Sequence, residues 1–231
     1  MKICGITSEE DALLAVALGA DAVGFVFAPS PRQIAVGRAR DIARRLPLDV
    51  LTVGVFRNDL PKRILKIMSH TSLRAVQLHG NESADETTWI AQRVPTTIKA
   101  FPAGHTGLHS FKDYHADILL IDSHAPGSGN MFDWSLAEDA PLAGTRLLLA
   151  GGLNPENVER AVKRVRPWGV DVSTGVESSP GRKDPAKMRL FIQNAKSAQT
   201  SKKNPEAQSS DSKPSALYNW ESNGYIRGLD I

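Results

Sequence analysis

A single cysteine stands at position 4 of the 231-residue chain, within Lys2-Ile3-Cys4-Gly5-Ile6-Thr7. A thiol works as a base or nucleophile only as its thiolate, so chemistry at Cys4 calls for surroundings that lower its pKa. A free cysteine is also a small apolar side chain of a type often found fully buried. By residue type alone both readings stand. Asp122 is the second candidate. It ends the apolar run Ile118-Leu119-Leu120-Ile121 and opens a glycine-rich stretch, Ser123-His124-Ala125-Pro126-Gly127-Ser128-Gly129. Burial at a strand end disfavours the charged form of a carboxyl group, which suits a general acid. A loop-capping aspartate would look the same. A thiolate base facing a carboxylic acid across a phosphate-anchored sugar would move protons, and the reaction class that implies is an isomerisation.

Other residues could bind what such a pair acts on. Arg32, in the proline-rich loop Ala28-Pro29-Ser30-Pro31-Arg32-Gln33, can pair bidentately with a substrate carboxylate, or it can be a surface arginine. Ala150-Gly151-Gly152-Leu153 puts two glycines where the backbone must pass close to something. Val172-Ser173-Thr174-Gly175-Val176 offers backbone N–H groups, two hydroxyls and a glycine. Two such loops beside a short helix N-terminus make a phosphate site, although glycines also serve tight turns. Gly127 and Ser128 add a flexible, hydroxyl-bearing segment next to Asp122. His79 fits a core or supporting histidine as well as a substrate contact. The six histidines show no metal-ligand spacing, so no metal site is expected.

The elements that must position these residues repeat. Strands are expected at Lys2–Thr7, Ala22–Phe27, Val50–Phe56, Ala75–His79, Thr96–Phe101, Asp117–Asp122, Arg146–Ala150 and Gly169–Val172. Most are apolar throughout, as doubly buried parallel strands are. Helical patterns follow them: an N-cap at Ser8 with the stripe Ala12, Leu13, Ala15, Val16 and Leu18, then segments near 36–46, 60–68, 83–93 and 185–196. A weak helix is expected near 107–114, and an N-cap at Asn154 with Pro155 at the first position. Eight strand–helix repeats with short links imply a (β/α)8 TIM barrel, in which the candidates form one rim at the C-terminal strand ends. An open doubly wound sheet is the alternative, but no Gly-x-Gly-x-x-Gly turn follows the first strand.

Composition bounds the rest. A chain 41% hydrophobic and 23% charged can bury a substantial core, and its net charge of +3 is modest. The arginines at 38, 40, 44 and 45 fall at helical spacing and read as a solvated face, so no nucleic-acid partner is expected. One cysteine cannot make an internal disulfide, and neither a signal h-region nor a run of about 20 apolar residues appears, so no membrane association and a cytoplasmic location are expected. Residues 1–198 are expected to form the barrel domain, and 199–231, polar and Ser/Lys-rich, a disordered tail. A monomer and a homodimer are both compatible with the pattern.

Taken in order, these motifs resemble the phosphoribosylanthranilate isomerase family of tryptophan biosynthesis. Lys2-Ile3-Cys4-Gly5-Ile6-Thr7, Ser30-Pro31-Arg32, Val53-Gly54-Val55-Phe56 and Val76-Gln77-Leu78-His79-Gly80 match in sequence order. So do Phe132-Asp133-Trp134, the run from Ala150 to Val158, and the run from Gly169 to Gly181. The resemblance spans roughly residues 1–195 and implies a cofactor-free, metal-free Amadori rearrangement of a small phosphorylated substrate. By that resemblance Asp122 protonates the furanose ring oxygen, Cys4 removes the C2 proton, Arg32 contacts the anthranilate carboxylate, and the seventh and eighth loops hold the phosphate. The loop after the sixth strand departs from the family's Gly-Gly-Thr-Gly, and Pro126 stiffens its first position. A histidine-pathway aminoaldose isomerase would want a carboxylate in place of Cys4 and a second phosphate site. A barrel that only binds a phosphate ester would not need Cys4 and Asp122 together.

Overall fold

Every expected strand is present in the computed structural model, which describes residues 1–123 and 144–200, with side chains to 198. Strands β1 (Lys2–Cys4), β2 (Ala22–Val26), β3 (Leu51–Phe56), β4 (Ala75–Leu78), β5 (Thr97–Pro102), β6 (Ile118–Asp122), β7 (Arg146–Leu149) and β8 (Gly169–Val172) pair in parallel in chain order. Pairing of Lys2 with Asp171 and of Ile3 with Val172 closes the sheet into a barrel. Alternate residues face opposite sides. Small and branched residues such as Ala22, Val53, Val55, Ala75, Ile98, Ala100, Leu120 and Leu148 form one buried cluster with Cys4, the filling of the barrel. Ile3, Val23, Phe25, Phe56, Leu78 and Ile121 belong to the larger cluster between strands and helices.

Helices α1 (Glu9–Ala17), α2 (Val36–Ala43), α3 (Pro61–Thr71), α4 (Ala84–Ala91), α5 (Val158–Val165) and α6 (Pro185–Thr200) surround it. The Ser8 side chain accepts from the Asp11 N–H, as its N-cap role requires. Ser83 and Glu86 make a reciprocal capping box on α4. The weak helix near 107–114 is two 3-10 turns, Thr106–Leu108 and Phe111–Tyr114, because the segment is too short and too glycine-interrupted for a stable α-turn. Asn154 does accept from the Glu156 and Asn157 N–H groups, but the turn it caps becomes regular helix only at Val158. After β8 the chain makes a 3-10 turn, Thr174–Val176, and then a small hairpin of β9 (Glu177–Ser179) and β10 (Arg182–Lys183) that the eight-fold pattern did not anticipate. Helix α6 continues through Thr200, past the expected domain boundary at 198. The expectations for Gly127, Ser128 and Pro126, and for the tail from 201 onward, lie outside the described residues. No helix among the described residues is long and apolar enough to cross a membrane.

Candidate active site

The C-terminal strand ends open into a cavity of about 530 Å³. Cys4, Arg32, His79, Asp122, Gly151, Gly152, Ser173, Thr174 and Gly175, from six different strands or the loops after them, all line it. Short strands and tight links thus bring together candidates from the first strand of the domain and from its last.

Cys4 ends β1 and is 7% exposed. Beside it lies a buried ion pair that strand register creates: Lys2 Nζ stands 2.9 and 3.0 Å from the two carboxylate oxygens of Asp171, across the β1–β8 seam. Gly24, the register partner of Cys4 on β2, leaves the space these side chains need. A Cβ there would lie 2.8 Å from Cys4 Sγ and 3.2 Å from Lys2 Nζ. Burial pushes the Cys4 thiol up; the Lys2 ammonium opposes this, Asp171 adds to it, and Lys183 opposes it again, with a net rise. The lowered thiol pKa that chemistry at Cys4 was expected to need is therefore not what the surroundings provide. The resting form is the thiol, and the thiolate, once formed, is a strong base. Burial also works against the Lys2 ammonium, but the adjacent Asp171 charge prevails and holds Lys2 above the usual lysine range.

Asp122 ends β6 and is also 7% exposed. Its Oδ1 accepts the Ser123 N–H at 2.7 Å, and its Oδ2 lies 3.1 Å from His79 Nε2. The other nitrogen of that ring, Nδ1, lies 2.8 Å from the side-chain amide nitrogen of Gln77. The loop carrying His79 is pinned from behind. Glu82 accepts the Asn58 and Gly80 N–H groups and pairs with Lys99 at 2.6 Å, and both the Glu82 and Lys99 side chains are buried. Burial opposes the Glu82 charge, yet Lys99 and these donors hold its carboxyl below the usual range.

Arg32 departs from expectation in its partners. Its Nε and Nη2 each donate at 2.8 Å to Glu177 on β9, and Nη2 also reaches Thr174 Oγ1 at 3.4 Å. Lys183 on β10 donates to the same carboxylate at 2.9 Å and to the Ser173 carbonyl at 3.1 Å. The bidentate edge expected to meet a substrate carboxylate is thus occupied by Glu177, and the remaining N–H groups are left for a ligand. Burial opposes the Glu177 charge, but Arg32 and Lys183 outweigh it and hold the carboxyl low. The Arg32 stem crosses Gly5, whose φ is +74°; a Cβ there would lie 2.6 Å from Arg32 Cδ.

Gly151 and Gly152 have φ of +83° and +63°, two successive left-handed residues of the kind only glycine adopts without strain. A Cβ on Gly175 would sit 1.9 Å from the Leu153 carbonyl oxygen, so the seventh and eighth loops touch where only glycine fits.

Several polar residues at or behind the site, Glu82 and Lys99 among them, were given no role by the sequence. Lys2, Gln77 and Asp171 interrupt otherwise apolar strands, a signal that was available. Glu177 lies in the Gly169–Gly181 run that carries the family resemblance, but neither it nor Lys183, both on the unanticipated hairpin, was marked by any pattern of burial or spacing.

A parallel eight-stranded barrel with a buried thiol and a buried carboxyl at its open end defines a (β/α)8-barrel enzyme. The family model described as N-(5′-phosphoribosyl)anthranilate (PRA) isomerase matches residues 1–194, and the chain belongs to that family. The N-(5′-phosphoribosyl)anthranilate isomerase of Trichlorobacter lovleyi is 48% identical over 204 residues, 86% of this chain and 98% of that protein. The crystal structure of the Thermus thermophilus phosphoribosyl anthranilate isomerase superposes with a TM-score of 0.80 at 43% identity, covering 85% of this chain and 98% of that one. A further isomerase structure, in complex with reduced 1-(o-carboxyphenylamino)-1-deoxyribulose 5-phosphate, has a TM-score of 0.74 at 44% identity, covering 85% and 97%.

Proposed function

We propose that the protein catalyses the Amadori rearrangement of N-(5-phosphoribosyl)anthranilate to 1-(2-carboxyphenylamino)-1-deoxyribulose 5-phosphate, in tryptophan biosynthesis. The observation that carries the reading is the pairing, on one cavity, of a buried thiol on β1 with a buried carboxyl on β6. Family membership supplies the substrate. Asp122, starting protonated, gives its proton to the furanose ring oxygen as the C1–O bond breaks, leaving a Schiff base and the Asp122 carboxylate. The Cys4 thiolate takes the C2 proton, and the electron pair moves into the C1–C2 bond to form an enolamine. Protonation at C1 and loss of the 2-hydroxyl proton give the ketone. The substrate phosphate suits the N–H groups presented at Gly151, Gly152 and Ser173–Gly175, and its carboxylate suits the donors Arg32 keeps beyond Glu177.

The test is turnover of freshly generated phosphoribosylanthranilate, followed by loss of its fluorescence. The wild type is expected to consume it, while Cys4→Ser slows by about 10²–10⁴-fold, the usual worth of a positioned base. Asp122→Asn should bind and not turn over. Wild-type inactivity on that substrate would remove the reading.

A further inference from the structure

We propose that Gln77 is a positioning residue for the acid: its amide fixes the tautomer of His79, so that the ring donates to Asp122 and cannot take Asp122's proton. This rests on the reading of Asp122 as the acid. Gln77 lies on β4 with its side chain in the barrel, fully buried at 0% exposure and lining the cavity. Its amide is only half used. The nitrogen donates to His79 Nδ1 at 2.8 Å, while the carbonyl oxygen is buried without a partner among the described residues. An unpaired buried carbonyl costs stability, and a methionine of similar length would fill the space without that cost. What the amide adds is its bond to the histidine.

That bond decides the ring's chemistry. An amide N–H directed at Nδ1 requires a lone pair there, so the neutral imidazole carries its hydrogen on Nε2. Nε2 is the atom that faces Asp122 Oδ2, at 3.1 Å. One ring nitrogen is then occupied by Gln77 and the other already bears hydrogen, so the Asp122 proton has only the substrate oxygen to go to. When it leaves, the new carboxylate keeps two donors, His79 on Oδ2 and the Ser123 N–H on Oδ1. Both are in place before the charge develops, the arrangement that lowers a barrier most. The reversed amide would select the Nδ1–H form. Nε2 would then present a lone pair to Asp122, holding the acid proton back and repelling the carboxylate afterwards.

The experiment combines ¹⁵N spectra of the His79 ring in unliganded protein with kinetics of Gln77→Met and Gln77→Glu. In the wild type Nε2 is expected to carry the hydrogen. Gln77→Glu, an acceptor of nearly the same shape, should move it to Nδ1. Both variants should lower kcat roughly tenfold or more with KM changed less than about twofold. A wild-type ring protonated at Nδ1 overturns the proposal. So does kcat unchanged in either variant, or kcat lost with the Gln77→Glu ring spectrum unaltered, which would mean packing alone. If Gln77→Met fails to fold, the near-isosteric Glu variant and the wild-type spectrum decide between these outcomes. Failure of the functional reading would show separately, as wild-type inactivity with the ring tautomer as expected.

Discussion

At the scale of single residues, the governing fact is that burial raises the thiol proposed as the base. A thiol with a raised pKa forms its thiolate only as pH rises past the usual range. The rate of Cys4 alkylation by a small thiolate-selective reagent is therefore expected still to climb beyond the ordinary thiol range of about 8.5. Lys2 is the largest influence pulling the other way, so Lys2→Met should push that rising limb to higher pH still. The single variant strands Asp171 as a lone buried charge, at a cost of about 3–5 kcal/mol. The double variant Lys2→Met with Asp171→Asn avoids this and should shift the limb in the same direction. A limb unmoved in both would show that the ammonium does not act on Cys4. The proton inventory of the site is thus set by neighbours in the strands, and those neighbours were the residues hardest to read. A lysine or aspartate inside an apolar run is visible in sequence as an interruption. That the two interruptions meet depends on the register of the first strand against the last, which no local pattern contains.

At the scale of elements, the seventh and eighth loops act as one unit because Gly175 lies against the Leu153 carbonyl. Gly175→Ala must separate them, since the obstacle is backbone and cannot swing aside. The expected result is a KM raised roughly tenfold or more with a smaller fall in kcat, and weaker competitive inhibition by inorganic phosphate. Gly37, in α2, is the control, because a Cβ there would meet nothing within 4 Å. Gly37→Ala should leave kinetics alone and stabilise by about 0.5–1 kcal/mol in denaturant titration. Equal KM effects from the two substitutions would detach the loops from ligand binding. The strands were legible because burial on both faces leaves few polar residues in them, and α1 because Ser8 is a strong start signal. The segment near 107–114 and the start of α5 were misjudged where short-range hydrogen bonds compete with regular helix. The β9–β10 hairpin was missed because three- and two-residue strands have no periodicity to detect, and with it went Glu177 and the true partner of Arg32.

At the scale of the whole molecule, the barrel closes on a narrow seam. Only Lys2 with Asp171 and Ile3 with Val172 are in register between β1 and β8. Cys4 stands on one side of that seam, and Ser173, Thr174 and Gly175 on the other, so the site exists only while the ring is shut. Helix α6 backs the closure. It packs on α1, on α5 and on the Thr174–Val176 turn, and it buries Met188, Phe191, Ile192, Ala195 and Ala198. Phe191 is 0% exposed, so Phe191→Ala removes a ring from a fully packed position and should cost about 3–5 kcal/mol. The phenyl group lies in the layer between strands and helices, and Cys4 in the filling of the barrel. In the absence of denaturant kcat should therefore stay near the wild-type value. In urea, activity and far-ultraviolet circular dichroism should both be lost at a lower concentration, along one coincident curve, because opening the seam and unfolding the ring are the same event. Activity lost well ahead of the dichroism in the variant would mean that the seam opens locally, with α6 latching the site instead of stabilising the barrel as a whole.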